Sequence, residues 1–255
     1  MMRIIHISDL HFGMHRANLI EYFLTDLTEI NPDVIVISGD LTQRALTEQY
    51  RLLQSFLKRL PVQALIVPGN HDIPFYSPLI RLFNPFKQYK KYVSSELTSA
   101  FANEKLNILG VNSVTPYKIK DGKLSEETIQ RIKTHFKAID GRLNILFFHH
   151  NLNYFSGMHH PLNNAPEFID YLKESPIHIV CTGHLHYANV TVITKKTLPH
   201  LCAILHAGTL LCQRSKDGFN SYYVIEVDGL QCKIDLRVFN NNSFISQKIH
   251  DINFG

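Results

Sequence analysis

The chain has 255 residues, of which 45 % are hydrophobic and 19 % charged, with a formal net charge of +4. Those proportions describe an ordinary globular protein with ample core for one large domain, and the charge is too weakly basic to indicate a nucleic-acid polymer as partner. No run approaches the roughly eighteen apolar residues that span a bilayer, and the opening "MMRIIHISDLHFG" reaches an aspartate before a signal-peptide core can form.

In chain order, "MRIIHIS" reads as a buried strand, followed by Leu19, Ile20, Phe23, Leu24 and Leu27 at helical spacing across residues 17–30. "DVIVISGD" is a second strand. "ALTEQYRLLQSFLKRL" places Leu46, Tyr50, Leu53, Phe56, Leu57 and Leu60 on one helical stripe. "VQALIVPGNHD" is a third strand, apolar enough to predict cover on both faces. A helical, Tyr- and Lys-rich, cap-like insert occupies about 75–100. "LNILGVNS" is a strand, and "SEETIQRIKTHFKAI" a helix with Ser125 as N-cap and acids in its first turn. "NILFFHH" and "IHIVCTGHLH" are two more buried strands. From residue 188, "NVTVIT", "CAILHAG", "SYYVIEV" and "CKIDLRVF" are short alternating runs that predict antiparallel pairing. No internal repeat or linker divides the chain, so one α/β domain over residues 1–255 is expected.

Each buried strand ends in a group able to hold a metal. The first gives Asp9 and His11, the second Asp40, and the third Asn70 and His71. His149 and His150 follow "NILFF", and His184 and His186 follow "IHIVCTG". C-terminal strand ends of an α/β sheet form one rim, where ligands bind, so residues 177 positions apart would converge there. Asp9 and His11, like His184 and His186, stand two apart and would project to one side of an extended segment. The four cysteines (Cys181, Cys202, Cys212, Cys232) show no CxxC spacing. Neither disulfides nor a thiolate zinc site is indicated, and a cytoplasmic setting is the default.

In order, these blocks read DxH, GD, GNH, H and GHxH, and the set resembles the calcineurin-like metallophosphoesterase superfamily. "ISDLHFG", "GDLTQR" and "VPGNHDIP" look like its branch of cyclic-nucleotide phosphodiesterases and glycerophosphodiesterases. The resemblance implies a four-layer α/β/β/α sandwich of two mixed sheets flanked by helices, with a dimetal site at the C-terminal strand ends. It also implies a phosphodiesterase requiring two divalent or transition-metal ions. Mixed imidazole, carboxylate and amide ligands suit Mn, Fe or Zn. Two such ions clamp a phosphate and lower the pKa of the attacking water.

By motif, Asp40 would bridge the ions. Asp9, His11 and His186 would complete one site, and Asn70, His149 and His184 the other. The family usually has HHP where this chain has His149, His150 and Asn151; His149 is the expected ligand, with His150 nearer the substrate. His71 would be catalytic, meeting the phosphate or leaving group, with Asp72 fixing its orientation. Its adjacency to Asn70 on an extended segment would point the two opposite ways. Arg44 could pair with a phosphate oxygen or lie on a helix surface. His206 falls near the rim, and His159 and His160 either line the pocket or are ordinary loop histidines.

The expected substrate is a small phosphodiester, with a 3′,5′-cyclic nucleotide foremost. A diester is expected over a monoester because no further dianion binder beyond the metals is evident. The alternative is a membrane-surface phosphohydrolase or pyrophosphohydrolase cutting a lipid-linked phosphate. The insert, with Lys87, Lys90 and Lys91 among Leu, Phe and Tyr, reads either as a capping helix with a solvated lysine face or as a surface meeting anionic lipid. A non-catalytic scaffold of the same fold is the remote alternative, and such scaffolds lose ligands that this chain keeps.

Overall fold

The computed structural model describes residues 1–75, 77–137, 141–195 and 199–255. Strand β1 (Met2–Ile7) runs into helix α1 (Asn18–Ile30), β2 (Val34–Ile37), α2 (Thr47–Leu57) and β3 (Ala64–Ile66). The insert contributes α3 (Pro78–Phe83), α4 (Lys87–Tyr92) and a short strand β4 (Ser99–Ala102). Then come β5 (Leu106–Gly110), α5 (Glu126–His135), β6 (Leu143–Phe147), α6 (Ala165–Leu172) and β7 (Ile179–Thr182). The chain closes with β8 (Asn189–Thr194), β9 (Leu201–His206), β10 (Ser221–Asp228), β11 (Gln231–Asn240) and β12 (Ser243–Asn253).

Side chains alternate across each strand, and that period sorts the core into layers. Ile5, Ile7, Ile35 and Ile37 pack with Leu19, Phe23 and Leu27 of α1 and with Tyr50, Leu53 and Phe56 of α2. Their neighbours Ile4, Val34 and Val36 face the other way and pack with Ile108, Ile145 and Ile179 of the opposite sheet. Beyond it, Leu109, Leu146, Val180 and Ile204 meet Ile132 of α5 and Phe168 and Leu172 of α6. The result is helices, sheet, sheet, helices: the expected four-layer sandwich.

One sheet has the order β12-β11-β10-β1-β2-β3 and the other β4-β5-β6-β7-β9-β8. Both are mixed. β1, β2 and β3 pair in parallel, as do β5, β6, β7 and β9, while β10 to β12, β4 and β8 are antiparallel additions. All the strands that carry the blocks therefore end on one rim.

Some expectations change. β9 has the predicted antiparallel partner in β8, and in addition lies parallel to β7. Its Cys202 to Leu205 core is buried on both faces, as a strand inside a sheet requires. β3 is the edge strand of its sheet, and its side chains pack on both faces, Ala64 and Ile66 toward the helix-side core and Leu65 toward the opposite sheet, though each is only half-buried. The insert ends in β4, so it is not helical to residue 100. Residue 76 within it, and 138–139 at the end of the expected 125–139 helix, lie outside the described residues; α5 ends at His135. Ser125 does cap α5, its Oγ accepting the Thr128 N–H at 3.1 Å. β4, α6 and β12 were not anticipated. β12 is largely exposed along its length, so it carries little apolar alternation to read.

Candidate metal centre

Beyond the strand ends, the loops stay in register. Asp9 and His11 donate their N–H groups to the carbonyls of Gly39 and Asp40 at 3.1 and 3.0 Å, extending the β1–β2 pairing into the site. In the other sheet, Gly183 N–H donates to the His149 carbonyl at 2.9 Å. The sheets are then cross-tied: His184 N–H donates to Asp9 Oδ2 at 3.0 Å, and His149 Nδ1–H donates to the Ser38 carbonyl at 2.8 Å.

Asp9, His11, Asp40, His184 and His186 all hold positive φ, at 55°, 46°, 51°, 75° and 54°. Left-handed backbone costs non-glycine residues about 1 kcal/mol or more and clusters at functional sites. Both pairs two apart in sequence therefore owe their common direction to left-handed turns after the strand, not to an extended segment. Gly69 is needed for closeness: a Cβ there would lie 2.2 Å from Asp40 N and Oδ1.

The side chains form two clusters hinged on Asp40. Asp40 Oδ2 lies 3.5 Å from His11 Nε2, while its Oδ1 lies 3.3 Å from His149 Nε2. Around the first, His11 Nε2 is 2.9 Å from His186 Nε2, and Asp9 Oδ1 is 3.3 Å from His186 Nε2. Around the second, His149 Nε2 is 3.1 Å from Asn70 Oδ1 and 3.2 Å from His184 Nδ1. All seven expected ligands are thus brought together.

The donor chemistry fits bound cations. His149 Nδ1 faces the Ser38 carbonyl, and His186 Nδ1 faces the Arg214 carbonyl at 2.5 Å. With the proton on Nδ1, each Nε2 presents a lone pair inward, the tautomer a metal-binding imidazole needs. Buried Asp9 Oδ1 and His184 Nε2 make no hydrogen bond among the described residues; Asp9 Oδ1 faces the Nε2 atoms of His186 and His11 at 3.3 and 3.7 Å, donors that would share a cation with it. Among the described residues, three sets, Asp9–His11–Asp40, Asp40–His149–His184 and His11–His186–Cys212, offer ligand atoms within 4.8 Å of one another. Cys212 was not anticipated as a neighbour, since nothing in its spacing links it to His11 or His186.

Charge is concentrated here. Burial alone would raise Asp9 and Asp40, but neighbouring imidazoles, foremost His186 for Asp9 and His149 for Asp40, hold both carboxyls far below their ordinary range. Burial works to lower His149 and His186, yet Asp40 and Asp9 push them up to about 9 and about 11. Burial lowers His11 and His184.

Asn70 and His71 do not lie on an extended segment: Asn70–Asp72 forms a 3₁₀ turn. The side chains still part. Asn70 Nδ2 donates to the Ile119 carbonyl at 3.2 Å, while His71 Nδ1–H donates to the Gln43 carbonyl at 2.8 Å and its ring meets His11 edge-on at 4.9 Å. The partner seen on the His71 ring is thus Gln43. The Asp72 carboxylate instead accepts from the N–H groups of Leu41, Thr42 and Gly69 and from the Thr42 hydroxyl. Burial and the Asp40 charge raise it to about 6.

The clusters open into a cavity of about 270 Å³ whose wall includes His71, Lys120, His159, Arg214 and Lys216. It shares Gln43, Asn70, His71 and Lys120 with a neighbouring pocket of about 330 Å³ lined also by Arg44, Phe75 and Arg81. Arg44 therefore stands in that neighbour. His150 is fully buried, its Nδ1 2.8 Å from Ser113 Oγ and its ring so close under Gly122 that a Cβ there would lie 2.3 Å away; burial lowers it to about 3. His206 is also buried, between Thr182 Oγ1 at 2.6 Å and Asn153 Oδ1 at 3.2 Å. Neither is in the cavity wall. The sequence pattern does not single out Lys120, Arg214 or Lys216, loop cations with no motif around them.

The calcineurin-like phosphoesterase family model matches residues 2–188. A "Probable cyclic nucleotide phosphodiesterase" of Vesicomyosocius okutanii is 25 % identical over 72 % of this chain and 78 % of its own. A "Probable glycerophosphodiester phosphodiesterase" of Arcobacter nitrofigilis is 23 % identical over 76 % and 75 %. A second "Probable cyclic nucleotide phosphodiesterase", of Coxiella burnetii, is 24 % identical over 88 % and 94 %. Among solved structures, a purple acid phosphatase from yellow lupin (Lupinus luteus) seeds shares the fold with TM-score 0.69 at 12 % identity, covering 99 % of this chain and 53 % of that one, so this chain spans about half its length. Vps29 of Chaetomium thermophilum shares it with TM-score 0.51 at 12 % identity over 99 % and 96 %. Carrying every block of the motif on the strand ends of a double-sheet sandwich, the chain belongs to the calcineurin-like phosphoesterase family and is a phosphoric ester hydrolase.

Proposed function

We propose that the protein hydrolyses small phosphodiesters, with a 3′,5′-cyclic nucleotide foremost, using two divalent or transition-metal ions of the Mn, Fe or Zn class. The observation that carries this reading is the double cluster hinged on Asp40, whose two oxygens face different imidazoles at 3.5 and 3.3 Å. Asp9, His11 and His186 with Asp40 would hold one ion, and Asn70, His149 and His184 with Asp40 the other. Such a pair supplies charge neutralisation at phosphate and an acidified water. His71, its Nδ1–H donated to the Gln43 carbonyl, leaves Nε2 on the far side of the ring; as the imidazolium it would donate Nε2–H to a non-bridging oxygen or give that proton to the leaving alkoxide. Lys120, Arg214 and Lys216 in the wall supply positive charge for the phosphate.

Those three cations remove the expected ground for diester preference, the lack of any further dianion binder. The preference is better supported by the neighbouring pocket of about 330 Å³. It gives a second ester group somewhere to lie, and a monoester has none. Arg44 belongs to that subsite in this reading. The names of the relatives agree with the diester class. All four cysteines are buried and unpaired, which favours a reducing, cytoplasmic setting, and no helix among the described residues is long and apolar enough to cross a membrane.

The test is Mn²⁺-supported hydrolysis of a bis-aryl phosphodiester against the matching monoester, with cyclic AMP alongside. Diester turnover well above monoester turnover is expected, with cyclic AMP slower than the aryl diester. Dominant monoesterase activity would overturn the reading.

A further inference from the structure

Among the described residues, fifteen large hydrophobic side chains are exposed, and seven of them (Phe75, Leu79, Ile80, Leu82, Phe83, Tyr117 and Ile119) fall in two short segments of the chain. Leu79 and Phe83 are 71 % and 79 % exposed, and no residue of α3 is buried. The segments form one surface, because Arg81 of α3 donates from Nε to the Pro116 carbonyl and from Nη2 to the Lys118 carbonyl, both at 2.7 Å. A monomer rarely leaves so many large apolar groups together in water without a partner for them. Phe75, Arg81 and Ile119 also line the pocket beside the metal cavity, so the surface forms the outer lip of the site.

Its charge selects the partner. Residues 73–95 carry Arg81, Lys87, Lys90 and Lys91 and no acid. The 115–123 loop adds Lys118, Lys120 and Lys123 against one acid, Asp121, which pairs with Lys118 at 3.4 Å. A symmetric contact between two copies would set this patch against itself and bring like charges together. Apolar side chains flanked by lysines suit an interface with anionic headgroups, where the chains enter the acyl boundary and the cations meet phosphate.

We propose that α3 and the 117–119 loop dock the protein on an anionic lipid surface, so that the diester pocket opens beside it. The docking is independent of which diester is cleaved.

The test uses the full chain with phosphatidylglycerol/phosphatidylcholine vesicles and with phosphatidylcholine alone, read by co-sedimentation. Binding is expected to the anionic vesicles only and to weaken with salt. The doubles Leu79→Ser/Phe83→Ser and Lys90→Glu/Lys91→Glu should each lower the vesicle affinity about tenfold or more. Both should retain the circular dichroism spectrum and the soluble aryl-diester activity of the parent, since these side chains are exposed and away from the cavity. Absence of binding to anionic vesicles, or equal binding by parent and variants, would overturn the proposal. So would self-association without vesicles that Leu79→Ser/Phe83→Ser abolishes, which would give the face to a second copy.

Discussion

The Asp72 carboxylate accepts both the backbone N–H and the hydroxyl of Thr42, at 2.8 and 3.0 Å. Through this contact and its bonds from Leu41 and Gly69, it locks the loop bearing Asp40 against the loop bearing Asn70. Asp72→Ala would leave several buried donors unpaired at roughly 1–3 kcal/mol each. A loss of about 3 kcal/mol in urea unfolding is expected, at unchanged m-value. A variant of parental stability would show that these bonds do not hold the loops.

Asp40 is the one side chain common to both clusters. Asp40→Ala is therefore expected to lose both metals, read by elemental analysis of protein purified and dialysed like the parent. Full metal content would end its assignment as the bridge.

His71 is in none of the sets of clustered ligand atoms among the described residues, and its Nδ1–H is held by the Gln43 carbonyl. His71→Ala should keep its metals while its rate falls by something like 10²–10⁴. Metal lost in step with activity would make His71 a ligand.

Gly69→Ala tests how closely the loops are fitted. Its methyl would meet the Asp40 backbone nitrogen at 2.2 Å, a contact that only movement of the Asp40 loop relieves. Lower metal content and lower thermal stability are expected together. Parental values for both would mean the loop shifts at no cost to the site.

The donors and the layers are legible from the residues alone. Apolar periodicity located most strands, and five short motifs named residues that the fold then gathered: Asp9, His11, Asp40, Asn70, His149, His184 and His186. These were legible because each stands just past a buried strand, where parallel pairing fixes the side of the sheet on which the chain emerges. How they point is set by contacts between loops. The left-handed turns at Asp9 and His186, the 3₁₀ turn at Asn70, and the backbone carbonyls of Ser38, Gln43 and Arg214 that orient His149, His71 and His186 all depend on loops from different strands meeting. So does the burial of His150 beneath Gly122 and of His206 against Thr182, and the arrival of Lys120, Lys216 and Cys212 at the cavity. Such contacts are made between segments far apart in the chain, and neither local pattern nor propensity encodes them.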